Sequence, residues 1–156
     1  MIRLLCIGKT NASYLLQGEK EYEKRIKRYI KFEKIELSDV KKKFSTNREL
    51  MKAESDCFLQ KIKPTDYVLG LDEQGKSYRS SDFAQLLTKR MNHSTGDIVF
   101  IIGGAYGFHE TLQNRFNEKV SLSKMTFSHQ MVRMIFMEQL YRGFTILRNE
   151  PYHHEG

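Results

Sequence analysis

Apolar residues along the chain follow two patterns: short continuous or alternating runs, and longer stretches with helical spacing. The runs predict five strands, at Ile2–Ile7, Phe32–Leu37, 66–71, Ile98–Ile102 and 120–122. The stretches predict five helices, at 13–30, 46–62, 81–91, 109–117 and 128–144. This alternation predicts an α/β fold, a mostly parallel sheet flanked by helices, in one domain over residues 1–156.

Local signals mark several ends of these elements. Thr46 followed three residues later by Glu49 is a capping box, which predicts a helix start. Ser81 and Ser128 are expected to be the N-cap residues of the third and fifth helices. The polar residues 73–76 are predicted to form a loop after the third strand.

The last predicted helix is apolar over most of its circumference. Its apolar side chains are Met131, Val132, Met134, Ile135, Phe136, Met137, Leu140, Tyr141 and Phe144. A helix of this kind is buried on several sides. We therefore expect contact with a second subunit as well as with the chain's own sheet, which predicts a homodimer.

Composition narrows the class of partner. The chain has 26 basic and 19 acidic side chains, a formal net charge of +7, which favours a polyanionic partner, with nucleic acid ahead of a membrane surface. It has no run of about 20 apolar residues that would span a membrane. The first eight residues resemble a strand rather than a signal peptide, and Cys6 and Cys57 form no CxxC pair. These features predict a cytoplasmic protein.

Two glycines follow the fourth predicted strand. Ligands of parallel α/β sheets bind beyond the carboxyl ends of the strands, and both Gly103-Gly104 and Leu71-Asp72 lie at such ends. The glycines match neither a dinucleotide fingerprint nor a Walker A loop. Residues 104–107 also match the GxxG of RNA-binding KH domains, and a tight strand-to-helix turn explains the glycines equally well.

Histidines and arginine near the C-terminus are the candidates for chemistry. His129 and Arg133 are four residues apart on one helix face, where imidazole suits proton transfer and guanidinium suits a phosphate or a base. A backbone-bonded histidine and an arginine paired with an acid are the structural alternatives. Tyr152, His153 and His154 follow a proline and could stack on or hydrogen-bond a flipped-out base. No partner at ligand spacing accompanies them, so no metal site is predicted.

Several segments together resemble one family. They are Ile101-Ile-Gly-Gly104, Leu122-Ser123, Thr126, His129, Val132-Arg133, Glu138, Leu140-Tyr-Arg142 and Pro151-Tyr-His153. In this order the chain resembles the ribosomal RNA pseudouridine methyltransferases of the SPOUT class, the RlmH family, over essentially its whole length. The resemblance implies a sheet whose C-terminal part threads into a trefoil knot, an obligate homodimer, and S-adenosylmethionine as the cofactor. It implies methylation at N3 of a pseudouridine in large-subunit (23S) ribosomal RNA on assembled ribosomes.

The resemblance also implies roles for individual residues. The cofactor-binding residues would be Leu71, Gly103, Gly104, Leu122, Ser123, Lys124, Met125, Thr126 and Phe127. The catalytic residues would be His129, Arg133 and His153, and Arg142, Tyr152 and His154 would contact the substrate RNA. His154 stands where the family often has arginine, and Ser128 and Gln130 stand where prolines often flank His129.

A hypothesis for the reaction follows from the chemistry. His129 or His153 would help remove the N3 proton of the base, and Arg133 would steady the negative charge that develops. Basic residues of the first helix and Lys41, Lys42 and Lys43 would hold RNA phosphates without specifying the base. The alternative is a non-catalytic RNA-binding or ribosome-associated module that uses the same basic face.

Overall fold

The computed structural model of the protein describes residues 1–40 and 42–154. Lys41 of the predicted basic loop lies outside the described residues, while Lys42 and Lys43 are exposed. The elements are β1 (Ile2–Ile7), α1 (Ser13–Ile26), β2 (Phe32–Leu37), α2 (Asn47–Leu59), β3 (Tyr67–Ser77), α3 (Ser80–His93), β4 (Ile98–Ile102), α4 (Glu110–Gln113), β5 (Glu118–Ser121) and α5 (Met131–Leu147).

The five strands form one parallel sheet in the order β2-β1-β4-β3-β5. In its first row Ile2 pairs with Phe32 on one side and with Ile98 on the other. The predicted α/β fold with a parallel sheet flanked by helices is therefore confirmed. Because all strands run the same way, their carboxyl ends meet at one edge of the sheet.

Each face of the sheet carries its own apolar core. On one face Leu4 and Phe100 pack with Phe136 and other residues of α1, α3 and α5. On the other face Leu5 and Val99 pack with residues of α2 and α4. Neighbouring residues of a strand point to opposite faces. A strand covered on both faces is therefore mainly apolar, as β4 is at every position and β1 is at every position except Arg3.

The helices begin and end within about one turn of the residues predicted from the sequence. The Thr46 hydroxyl accepts a hydrogen bond from the backbone N–H of Glu49 (3.2 Å), which confirms the predicted cap of α2. The prediction for α1 was four residues too long, since its last turn ends at Ile26. The N-cap of α3 is Arg79 instead of Ser81. The fourth helix is one turn, and His109 caps it by accepting from the N–H of Thr111.

The predicted loop 73–76 lies within β3 instead of after it. Val120 of β5 pairs with both Leu71 and Lys76, so the chain between them bulges out of the sheet and then rejoins it. The Asp72 carboxylate accepts a hydrogen bond from the N–H of Gln74 (2.8 Å), which stabilises the bulge. The bulge projects at the carboxyl edge of the sheet, beside β4 and β5.

Helix α5 begins at Met131, three residues later than predicted. Ser128 still assists its start, because its hydroxyl accepts from the N–H of Met131 (3.1 Å). Within this chain Phe136, Leu140 and Phe144 are buried, but Met134 and several other apolar side chains of the helix stay partly exposed. Burial on several sides, expected for this helix, is therefore not completed by the chain alone.

Candidate active site

A cleft of about 760 Å³ opens at the carboxyl edge of the sheet, within the size range of small-molecule and cofactor sites. The residues that line it come from the ends of β3, β4 and β5, from α2 and from the start of α5. They are Met51, Leu71, Asp72, Glu73, Ile102, Gly103, Gly104, Ala105, Tyr106, Gly107, Phe108, Gln113, Leu122, Ser123, Met125, Thr126, Phe127, Ser128, His129 and Val132.

Most residues that the sequence assigned to the cofactor line this cleft. They are Leu71, Gly103, Gly104, Leu122, Ser123, Met125, Thr126 and Phe127. Lys124 does not line it and is exposed. His129, one of the three predicted catalytic residues, does line it and is also exposed. The structure thus brings the predicted cofactor residues and one candidate for proton transfer to a single site.

Sequence reasoning missed part of the lining. Asp72 and Glu73 come from the β3 bulge, and Met51 comes from α2, whose contribution no motif indicated. The sequence did contain a signal for the two acids. Leu71-Asp72 lies at the end of an apolar strand, and ligands bind beyond the carboxyl ends of parallel strands. Tyr106 lies between two glycines that the sequence had marked, without being marked itself.

The two glycines after β4 are required by close packing. A Cβ on Gly103 would lie 2.9 Å from the ring of Phe108, and one on Gly104 would lie 2.6 Å from a carboxylate oxygen of Glu54. Gly107 has a φ of +84° and donates its N–H to the carbonyl of Gly104 (3.2 Å). The prediction of a tight turn is confirmed, and the turn also lines the cleft.

Glu54 is a buried acid beneath this turn. One of its carboxylate oxygens has no hydrogen-bond partner among the described residues. Burial, together with the nearby charge of Asp39, raises the pKa of Glu54 above its ordinary value. The side chain therefore packs against Gly104 in a setting that favours its protonated form.

Residues 121–127 form a hydrogen-bonded loop on the other side of the cleft. The Ser121 hydroxyl donates to the carbonyl of Ser123 (3.0 Å), and the Ser123 hydroxyl accepts from the N–H of Met125 (3.0 Å). The Thr126 hydroxyl donates to the Glu73 carboxylate (3.3 Å), which joins this loop to the β3 bulge. The walls of the cleft are thus connected to each other, and their backbone groups are held in place.

The turn that carries His129 is braced against the loop after β1. The Gln130 side-chain oxygen accepts from the N–H groups of Asn11 (2.8 Å) and Ala12 (3.4 Å). Together with the Ser128 cap, this fixes both neighbours of His129. The polar residues on either side of His129 therefore hold the turn by hydrogen bonds.

Arg133 was predicted to act on the substrate, but the structure places it elsewhere. It is 1% exposed, and its guanidinium donates to the carbonyls of Ile7 (2.6 Å) and Gly8 (2.9 Å) and to the Thr10 hydroxyl (3.1 Å). It also lies 3.4 Å from a Glu36 carboxylate oxygen. Strand β1 ends here, so its last carbonyls are available to a side chain. Arg133 anchors α5 to the sheet and does not line the cleft.

The other predicted substrate residues form a separate cluster near the end of α5. Arg142 binds the Glu138 carboxylate (2.5 Å and 3.0 Å), lies beside the His153 ring (3.1 Å), and stacks over the Tyr152 ring at 4.7 Å. The Tyr152 hydroxyl also donates to Glu138 (3.0 Å), and His154 is exposed. We call Glu138, Arg142, Tyr152 and His153 the tail cluster. None of its members lines the cleft of the same chain.

Residues 1–40 and 42–154 contain neither a metal-binding group nor a membrane-spanning helix. No three His, Cys, Asp or Glu side chains in this part of the chain are grouped to hold a metal ion. None of its helices combines the length and the apolar character that crossing a membrane would require.

Comparison with known proteins shows the family of the chain. A family model described as "Predicted SPOUT methyltransferase" matches residues 1–153. The chain belongs to the SPOUT methyltransferase family. Relatives from Flavobacterium johnsoniae, Christiangramia forsetii and Parabacteroides distasonis are 49%, 48% and 46% identical to it. Each match covers 98–99% of both chains, and each relative is named ribosomal RNA large subunit methyltransferase H.

Proposed function

We propose that this protein is an S-adenosylmethionine-dependent methyltransferase that acts on large-subunit ribosomal RNA, at N3 of a pseudouridine in assembled ribosomes. The observation that carries this is the cleft itself, where the glycine turn and loop 121–127 meet an exposed imidazole, His129, in a SPOUT-family chain. The names of the full-length relatives support the RNA substrate. A ribosomal substrate places the protein in the cytoplasm.

The cleft fits a cofactor of this kind in size and chemistry. Ile102, Leu71 and Leu122 give it an apolar side for a purine ring, and the absence of side chains at Gly103 and Gly104 leaves room for close approach. Asp72 and Glu73 bring carboxylates to the side where a positive sulfonium would be favoured. These residues would hold the cofactor, which supplies an electrophilic methyl group when bound.

A residue of the chain would then accept the proton that leaves N3 of the base. The N3 nitrogen of a pseudouridine carries a proton and attacks a methyl group only as that proton leaves, so a base must be within reach. His129 is exposed at the cleft, and an imidazole can accept a proton near neutral pH. Arg133 would act as a positioning residue that fixes the first turn of α5 next to His129. The negative charge on the base would be met by backbone N–H groups of the cleft instead of by Arg133.

A homodimer would complete both α5 and the substrate site. Met131, Met134 and Ile135 are partly exposed in one chain, and a second copy would cover them. His153, Arg142, Tyr152 and His154 lie toward the other end of the helix, so their proposed contact with RNA would be made at the cleft of the partner. We also propose that the C-terminal part of the chain forms the trefoil knot implied by the family, within one SPOUT domain over residues 1–156.

The exposed basic face of α1 would hold RNA phosphates. Lys20 and Lys24 of α1 are exposed, as are Lys27, Arg28 and Lys31 in the segment that follows the helix and Lys42 and Lys43. Lys27 is partly neutralised by Glu23 at 2.9 Å, so the remaining cations carry most of the attraction. Affinity for ribosomes should therefore fall steeply as the salt concentration rises.

The test is transfer of label from radiolabelled S-adenosylmethionine to ribosomes that lack the modification, with free ribosomal RNA and unrelated RNA in parallel. We expect label in the large-subunit RNA of intact ribosomes. His129→Ala should lower the rate by about 100-fold or more with unchanged cofactor affinity, whereas His153→Ala tests the other candidate base. Binding to ribosomes with no transfer of label to any substrate would leave the non-catalytic RNA-binding module as the function.

A further inference from the structure

Tyr106 is a large aromatic side chain that the fold leaves in solvent. It is 52% exposed, and it lines the same cleft as His129. No hydrogen bond or ring contact joins it to any other residue of the described part of the chain. The mechanism proposed above does not use Tyr106. Because its side chain contributes little to a core, the stability of the fold does not require an aromatic ring at this position.

The backbone holds this ring at a defined place. Tyr106 occupies the turn between Gly104 and Gly107, which is closed by the hydrogen bond from the Gly107 N–H to the Gly104 carbonyl (3.2 Å). Gly104 cannot move toward α2, because the Glu54 carboxyl group lies directly behind it. A side chain on such a turn is presented to the cleft with little loss of order on binding.

The rim of the cleft is apolar at more than this position. Met125, on the loop opposite the glycine turn, is 76% exposed and lines the cleft as well. Exposed apolar side chains that line one cleft together form a surface to which a ligand can bind. A planar ring is the ligand that an exposed tyrosine and a thioether can hold from its faces.

We propose that Tyr106 stacks on an unpaired nucleobase of the RNA substrate and holds it at the mouth of the cleft. This inference rests on the proposed function and adds a recognition residue to it. RNA-binding proteins commonly receive splayed-out bases on exposed aromatic rings. The adenine of the cofactor is the other planar ring available, but Ile102, only 4% exposed, and its apolar neighbours provide a more enclosed surface for it.

Two variants test the planar ring of Tyr106 separately from its hydroxyl and from its apolar bulk. Tyr106→Leu keeps an apolar side chain but removes the planar face, and Tyr106→Phe keeps the face but removes the hydroxyl. Methyl transfer to unmodified ribosomes gives KM and kcat, and calorimetry with S-adenosylhomocysteine gives the affinity of the cofactor site. Tyr106→Leu should raise the KM for ribosomes by about tenfold, with cofactor affinity unchanged, and Tyr106→Phe should behave as the wild type.

Three results would overturn the stacking role. Weaker binding of S-adenosylhomocysteine by Tyr106→Leu, with KM for ribosomes unchanged, would assign the ring to the cofactor. Equal defects in the two variants would assign the effect to the hydroxyl, and no defect in either would remove Tyr106 from recognition. A wild-type protein that transfers no label is a different result, since it overturns the proposed function and the nucleobase ligand with it.

Discussion

The two ends of α5 carry similar side chains in very different settings. At the start of the helix His129 is exposed at the cleft, while Arg133 is buried on the carbonyls at the end of β1. Toward the other end Arg142 is partly exposed and bound to Glu138, beside the histidine and tyrosine of the C-terminal segment. One arginine is part of the scaffold, and the other belongs to a partly exposed polar cluster.

The two groups of side chains are separated by most of the length of α5. The eleven helical steps from Met131 to Arg142 span about 16 Å, so the tail cluster and His129 are far apart within one chain. Both carry chemistry suited to RNA. A second copy of the chain, packed on the partly exposed side of α5, would bring the tail cluster of one subunit to the cleft of the other.

Removing Arg133 should have the largest effect on stability. Arg133→Ala leaves two strand-end carbonyls and Thr10 without their donor and removes the cation beside Glu36. We expect the free energy of unfolding to fall by about 3–5 kcal/mol, measured by urea denaturation. Arg133→Lys should recover part of the loss, because an ammonium can still donate to these acceptors. An unchanged midpoint for Arg133→Ala would contradict the role as an anchor.

A methyl group on Gly104 should damage the cleft more than the fold. Its Cβ would lie 2.6 Å from Glu54, so the glycine turn would shift into the cleft. For Gly104→Ala we expect affinity for S-adenosylhomocysteine, measured by calorimetry, to fall by about 1–3 kcal/mol. The double variant Gly104→Ala with Glu54→Ala removes the clash and should regain binding. A double variant as weak as the single one would show that the clash is not the cause.

Arg142 should contribute little to folding and more to the substrate. Its ion pair with Glu138 is partly exposed, so Arg142→Ala should lower the free energy of unfolding by about 1 kcal/mol or less. The same variant should raise the KM for ribosomes while cofactor affinity stays constant. Denaturation and methyl-transfer assays on one preparation measure both. A large loss of stability with normal KM would make Arg142 a second structural arginine.

The smallest expected effect is a pH dependence due to Glu54. Its pKa is raised by burial, so the folded state favours the protonated acid. That contribution is fully present below the ordinary value of 4.5 and is lost as the pH rises through the raised pKa. Glu54→Gln cannot ionise, so its melting temperature should gain on that of the wild type as the pH increases from 4 toward neutrality. Parallel curves for the two proteins would show that Glu54 does not titrate in this way.

The elements predicted best from the sequence are those whose hydrophobic pattern fits only one kind of secondary structure. β1, β2 and β4 have the predicted bounds, and in β1 and β4 every position is buried. The prediction was wrong where tertiary contacts extend an apolar pattern beyond the end of a helix. Tyr29 follows the end of α1, yet it stacks on Phe144 at 5.5 Å, and this contact accounts for the helical spacing that extended the prediction to residue 30.

The site shows the same limit. The glycines and the segment 122–127 could be found because their spacing resembles a family, and all but Lys124 line the cleft. Arg133 could not be assigned, because four-residue spacing from His129 places both on one face without showing what that face contacts. Only the packing of α5 across the end of β1 makes its acceptors backbone carbonyls instead of a substrate.

The most direct test of the composite site uses two impaired subunits, assayed at a ribosome concentration well below the wild-type KM, where both substitutions lower the rate. One carries His129→Ala and the other Arg142→Ala, and the two are co-expressed and assayed for methyl transfer to unmodified ribosomes. In a symmetric dimer whose site takes His129 from one copy and Arg142 from the other, random pairing restores one intact site in half of the dimers, about a quarter of wild-type activity. If each cleft uses both residues of its own chain, the mixture will be no more active than the separate variants, and the account will be contradicted.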